Sequence, residues 1–230
     1  MDRFIGLTLG VLLALIPVFG ISWILGISDY LQWGLLTAQL LGAVLGITVA
    51  ASMLKYPYRE KAGLLELILA LAALASWFWM SISLDQWMYT MADRTPDKWM
   101  PGVVAIVLML EGLRKATGMV IAGLVWTLIA YAFFGNLLPG VLEAEVFPPS
   151  KTVLYLYADT NGIPGIVLRV VTQLVLAFII FGKMLEVSGA SRFLNDMALG
   201  WMGHRRGGPA KVAVVASGAF GSISGSTVAN

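Results

Sequence analysis

Long apolar runs recur along this chain, and the charges are collected in the stretches between them. A helix needs about 20 mostly apolar residues to cross a hydrocarbon core of about 30 Å. Phe4 to Gly26 meets that length without a single charge, and so does Tyr30 to Leu54. Leu64 to Leu84 is a third run, carrying Glu66 near its start. Pro101 to Leu110 is short, but it continues through Glu111 to Ala116 as a helix whose end leaves the membrane. Gly118 to Phe134 is a fifth span, and Pro164 to Leu185 a sixth, with Arg169 inside it. The first run is too long for the apolar region of a signal peptide and lacks a small-x-small cleavage site, so it reads as a retained anchor.

The last apolar stretch has a different pattern. Val212 to Asn230 is interrupted at Gly218, Gly221 and Gly225, and apolar pieces of about seven or eight residues are too short to cross a bilayer. They can enter it and leave a polar tip at depth. The expected fold is therefore an all-α integral membrane protein: about six transmembrane helices, then the start of a re-entrant helical hairpin.

Composition agrees with this reading. Charged residues make up 12% of the chain and hydrophobic ones 59%, whereas a soluble domain carries about a quarter charged residues. The absence of cysteine excludes disulfides, zinc–thiolate sites and iron–sulfur clusters. A net charge of +2, from 15 basic and 13 acidic residues, is too balanced for a nucleic-acid partner.

Where the charges fall sets an orientation, because cytoplasmic loops collect Lys and Arg. With the N-terminus inside, eleven basic residues face the cytoplasm: Arg3, Lys55, Arg59, Lys61, Arg114, Lys115, Lys183, Arg192, Arg205, Arg206 and Lys211. Three (Arg94, Lys98 and Lys151) lie outside, together with most of the acidic loop residues. The expected location is the bacterial inner membrane, with several crossings and a cytoplasmic N-terminus.

Two polar breaks, Asp85 to Met100 and Gly135 to Gly162, read as external segments. The aromatic stretch Val153 to Tyr157 in the second suits an interfacial amphipathic helix. Glu111 stands four residues before Lys115, the favourable order for a helical ion pair. The hinge that follows puts a domain boundary near Thr117, dividing residues 1–116 from 117–230. In the second span Ala38, Gly42, Gly46 and Ala50 form a small-residue ribbon for close helix packing. The stretch from Gly189 to Lys211 is basic and amphipathic, and should run along the cytoplasmic face.

Candidate chemistry sits at the end of the chain, in GAFGSISGSTVAN. Broken helices in transporters hold ions with freed carbonyls and hydroxyls. Ser222, Ser224, Ser226 and Thr227 offer hard oxygens without fixed charge, suited to a releasable Na⁺, and Gly225 lets the backbone turn. The alternative is that these small residues only pack helices. For Arg169 a snorkelling role is favoured over a substrate-carboxylate ligand. Glu66 reads as an interfacial carboxylate before a proton relay, and the lone His204 has too few neighbouring donors for a metal site. HRRGGPAK is not a phosphate loop, and the spans hold no Ser–His, paired-aspartate or HExxH arrangement, so no catalytic residue and no cofactor is expected.

FGKMLEVSGASRFLNDMALGWMGHRRGGPAKVAVVAS followed by GSISGSTVAN resembles the large permease subunit of tripartite ATP-independent periplasmic (TRAP) transporters. EGLRKATGMVIAGLVWTLIAYAFFGNLLPG and NGIPG, further upstream, fit the same family. The resemblance is closest to the fused type that works with TAXI binding proteins, with small and large membrane subunits in one chain. It covers residues 111–230; residues 1–110 fit the four-helix small subunit by hydropathy only. It implies a Na⁺-coupled importer of a small organic anion, fed by a periplasmic substrate-binding protein, with Na⁺ as coupling ion and no other cofactor. It also implies a first hairpin whose tip is Ser222, Ser224, Gly225, Ser226 and Thr227, with Asn230 opening the returning arm. Arg169 departs from the family pattern. The family continues into a second hairpin, so an N-terminal fragment is expected here, and a non-transporting membrane scaffold is the alternative reading.

Overall fold

The computed structural model describes residues 2–32, 34–90, 93–145, 147–204 and 207–224. Among them the regular structure is helical, and it divides into two compact units, Met1–Val170 and Val171–Asn230.

In the first unit, α1 (Asp2–Ile24) runs through Pro17. A short α2 (Ile27–Tyr30) leads to α3 (Thr37–Lys55), which packs against both α1 and α4 (Leu64–Tyr89). α3 is the central helix. Its apolar window is 83% buried inside the protein, against 11% for α1. The small-residue ribbon explains how. A Cβ on Gly42 would lie 2.5 Å from Met80 Cε, and one on Gly46 would lie 2.9 Å from Trp77 Cβ, so glycine lets α3 and α4 approach closely.

α5 (Pro96–Thr117) starts with proline in its first turn, where the missing N–H costs nothing, and carries Pro101 inside. Proline at 101 leaves the Asp97 carbonyl without its helical donor. The Trp79 indole N–H of α4 donates to that oxygen at 3.2 Å. α5 is 22 residues long but has Asp97 and Lys98 at one end and Glu111, Arg114 and Lys115 at the other. Among the described residues, five other helical segments are long and apolar enough to cross a membrane: Arg3–Ile24, Thr37–Lys55, Leu64–Tyr89, Met119–Leu137 and Ile166–Val187. α5 is the expected fourth span, long enough to cross but more charged.

Gly118, at φ 87°, turns the chain from α5 into α6 (Met119–Phe134). Two 3₁₀ turns follow, Gly135–Leu137 and Gly140–Leu142, the second accepting the Tyr131 hydroxyl at Leu142 O. α7 (Pro149–Ala158) is the stretch expected to lie at the membrane interface, and here the structure differs. Its apolar side, Val153, Leu154, Tyr157 and Ala158, is buried within the bundle. The Tyr157 ring sits 5.3 Å from Trp77 and 6.2 Å from Trp87, and its hydroxyl donates to the Ser76 carbonyl. Gly102 leaves the room for that ring, since a Cβ there would stand 2.9 Å from Tyr157 Cδ1. Amphipathicity identified the apolar side of α7; the space over Gly102 decided what covers it. α8 (Ile166–Val170) ends the unit.

The second unit opens with a π turn, Val171–Val175, continued by α9 (Leu176–Val187). Gly189, at φ 86°, leads into α10 (Ala190–Met202), which packs on α11 (Gly208–Ser224). On α10 the exposed Phe193, Met197 and Trp201 recur every four residues, one apolar stripe of an amphipathic helix.

Candidate functional site

The sequence placed the site at the end of the chain. α11 passes through Gly218 and Gly221 without a break and reaches Ser224, so the expected interruptions at those two glycines are not there. The reason is energetic. A helical glycine costs about 1 kcal/mol, whereas an unpaired backbone group in an apolar setting costs more, so the helix continues. Ser222 and Ser224 belong to the final helical residues. Gly225, Ser226, Thr227 and Asn230 lie outside the described residues, and with them the tip of the expected hairpin.

Arg169 lies in α8, in the first half of the sixth apolar span. His204 is exposed after α10. Among the described residues no group of three His, Asp or Glu gathers to hold a metal. A groove of about 420 Å³ runs between α5, α6 and α7, lined by Trp99, Val107, Leu110, Ile129, Phe133 and Val153 among others. Ser150 is its one hydroxyl-bearing lining residue, so it offers little to a carboxylate or a cation.

Ordered polar chemistry instead gathers at two ends of the first unit, and the sequence had flagged neither as a site. At one, Lys98 is buried and its ammonium donates to Thr90 O at 2.6 Å, Thr90 Oγ1 at 2.9 Å and Asp93 O at 3.0 Å. All three acceptors belong to the chain leaving α4, where the helix end is negative.

At the other end the α3–α4 loop is fastened to α5. The Glu66 carboxylate, also buried, accepts the N–H of Gly63 at 2.7 Å and that of Tyr58 at 3.1 Å. Glu66, expected from the sequence as an interfacial carboxylate, here closes the loop and caps α4. The Tyr58 hydroxyl donates to Glu111 Oε1 at 2.6 Å. Arg114, not Lys115, completes the pair with Glu111, through Nε at 2.8 Å and Nη2 at 2.6 Å. Lys115 instead stacks its ammonium 3.5 Å from the centroid of the Tyr58 ring, with no hydrogen-bond partner among the described residues. The expected i,i+4 pair gives way because a fork-shaped guanidinium matches a carboxylate better than a point charge does.

The electrostatics follow this geometry. The Arg114 hydrogen bonds hold the Glu111 carboxyl down to about 2, against burial, with the Tyr58 hydroxyl helping. Burial pushes the Tyr58 hydroxyl up, and so does its bond to Glu111. Burial pushes the Lys115 ammonium down, opposed by Glu111 and Glu66. The Glu111–Arg114 pair is ionised across the physiological range, and the Tyr58 hydroxyl keeps its proton. The sequence offered only the Glu111–Lys115 spacing, which did not tell which loop would meet it.

Residues 102–230 match the family described as "Tripartite ATP-independent periplasmic transporter, DctM component". No curated protein and no solved structure matches the chain.

Proposed function

The chain belongs to the DctM component family of tripartite ATP-independent periplasmic transporters, and on that footing we propose that it imports a small organic anion, a carboxylate, together with Na⁺. The chain is a membrane-embedded transporter component and not an enzyme. The anion is handed over by a periplasmic substrate-binding protein of the TAXI type, and the coupling ion binds at Ser222, Ser224, Gly225, Ser226, Thr227 and Asn230. Residues 1–116 act as the small membrane subunit and 117–230 as the beginning of the large one, fused in a single chain. The protein sits in the inner membrane with its N-terminus in the cytoplasm, as the eleven-to-three distribution of basic residues favours.

One observation carries this reading. The family match runs through the uncharged serine and glycine stretch to Asn230, so the stretch is part of the permease and not an appendage. Hydroxyls and backbone carbonyls there suit a weakly held monovalent cation.

Uptake into proteoliposomes that hold the whole permease, with its binding protein outside, tests the proposal. Accumulation should follow an inward Na⁺ gradient, and Ser224→Ala or Ser226→Ala should raise the Na⁺ concentration needed. Uptake indifferent to Na⁺ would overturn the coupling, and an unchanged Na⁺ response in both variants would overturn the site.

A further inference from the structure

The groove between α5, α6 and α7 is apolar and narrow. Trp99, Val103, Val107 and Leu110 line it along one side of α5, with Phe133 of α6 and Val153 of α7 among the residues across from them. Val103 and Val107 are exposed and Ile106 between them is buried, so the groove has a floor and opens outward from the bundle. From Trp99 to Leu110 α5 rises roughly 16 Å, about half of a hydrocarbon core of about 30 Å, which is the depth of one leaflet. A volume of about 420 Å³ over that length leaves a mean section of roughly 25 Å². A helix with its side chains is about 10–12 Å across, a section of roughly 80–110 Å², and does not fit. A flexible chain one methylene wide does.

A charge stands beside it. Pro149 and Ser150, in the first turn of α7, line the groove, and the exposed Lys151 follows them directly. The Lys151 ammonium lies 3.8 Å from the centroid of the Phe147 ring. Glu143 and Glu145 belong to the segment before α7, yet neither forms an ion pair with Lys151 among the described residues. A ring attracts a cation without cancelling its charge, so Lys151 still has a full charge to offer an anion. From this arrangement we infer that the groove holds one acyl chain of an anionic phospholipid, with the lipid phosphate drawn to Lys151. Lipid tails are as apolar as the lining, so contact and not escape from water holds the chain. A tail lying against three helices at once meets more protein atoms than one beside a single convex helix, and each contact adds a little attraction. Lys151 adds the preference for an anionic headgroup. The inference needs neither Na⁺ coupling nor the serines at the end of the chain.

Native mass spectrometry of the whole permease, purified in mild detergent with mixed phosphatidylglycerol and phosphatidylcholine, reads out retained lipid. Wild type should keep phosphatidylglycerol in preference to phosphatidylcholine. Val107→Trp fills the groove from an exposed position and should abolish retention, whereas Val104→Trp, exposed on α5 but outside the lining, should leave it unchanged. Lys151→Gln keeps the groove open and should cut the preference for phosphatidylglycerol roughly fivefold. Glycerophosphoglycerol, which has the headgroup and no tail, should not displace the lipid. Undiminished retention in Val107→Trp, equal losses at Val104 and Val107, or displacement by glycerophosphoglycerol would overturn the acyl-chain site. An unchanged preference in Lys151→Gln would overturn the role of the charge. A wild-type dimer that Val107→Trp dissociates would give the groove to a second copy of the chain instead. Melting temperatures separate loss of the site from loss of the fold, and Lys151→Gln, exposed and outside the core, keeps the test open should Val107→Trp not fold.

Discussion

Replacing Gly46 by alanine should destabilise the first unit, whereas the same change at Gly123 should stabilise it. Both glycines lie inside helices, α3 and α6, so alanine brings each about 0.8–1 kcal/mol of helix propensity. At Gly123 nothing stands within 4 Å of the new Cβ, and that gain is the whole effect. At Gly46 the Cβ would meet Trp77 Cβ at 2.9 Å. Carbon atoms prefer about 3.5–4.0 Å, so relief needs roughly 0.6–1 Å of movement.

Trp77 has no room to give. It is fully buried, its contacting atom is next to the backbone, and its ring is packed against Tyr157. The two helices must separate instead, and overpacking of this kind costs about 1–3 kcal/mol. Subtracting the propensity gain leaves Gly46→Ala about 0–2 kcal/mol less stable than wild type, and about 1–3 kcal/mol less stable than Gly123→Ala. Gly42→Ala should be milder, because its closest contact is the flexible end of Met80. Denaturant titrations in one mild detergent, followed by tryptophan fluorescence, give the three differences. Should Gly46→Ala match or exceed wild type while Gly123→Ala loses stability, the close approach of α3 to α4 is not what glycine provides here.

Changes at three further positions test the contacts that tie helices together. Tyr157→Phe keeps both ring pairs and loses only the bond to the Ser76 carbonyl, an expected cost of about 0.5–1.5 kcal/mol in unfolding titrations; Tyr157→Ala should cost about 3–5 kcal/mol. Trp79→Phe strips the Asp97 carbonyl of its donor, and its cost should shrink in a Pro101→Ala background, where residue 101 regains an N–H; an unchanged cost in that double-mutant cycle refutes the pairing. Glu111 titrates near 2 when folded and at 4.5 when free, so its stabilisation is complete above about 4.5 and disappears as pH falls towards 2. Unfolding titrations from pH 7 to 3 should show the gap between wild type and Glu111→Gln, about 1.5–3 kcal/mol at neutral pH, narrowing at the acid end without closing.

Hydropathy fixed where helices form, because an apolar run has one stable solution in lipid whatever surrounds it. It was weaker wherever the outcome depended on a second element. The small residues of α3 announced close packing but not that α4 would fill the space. The apolar side of α7 was legible, and its burial under α4 and α5 was not, since the vacancy is created by Gly102 in a distant helix. Glu111 announced an ion pair, but Tyr58 arrives from 53 residues away and takes Lys115 onto its ring. Gly218 and Gly221 looked like breaks because glycine permits one; permission is not compulsion, and α11 runs on through both. The serines at the end were read from residue type and family resemblance, and their ion is tested by uptake.

Glu66 and Lys98 belong to one design that no single stretch of sequence displays. They sit at opposite ends of α4, which is 26 residues long and hence spans roughly 39 Å. The carboxylate meets the N-terminal N–H groups, where the helix end is positive, and the ammonium meets acceptors at the C-terminal end, where it is negative. Each satisfies groups that a helix cannot satisfy for itself, and each is buried where water cannot substitute. Glu66→Ala and Lys98→Met should therefore each cost about 1.5–3 kcal/mol in detergent unfolding titrations. At this separation, with no shared partner, the double variant should equal the sum of the singles within about 0.5 kcal/mol. A coupling above about 1 kcal/mol would mean that the two ends communicate through the helix, and a loss under about 0.5 kcal/mol for either single would mean that water already serves that end.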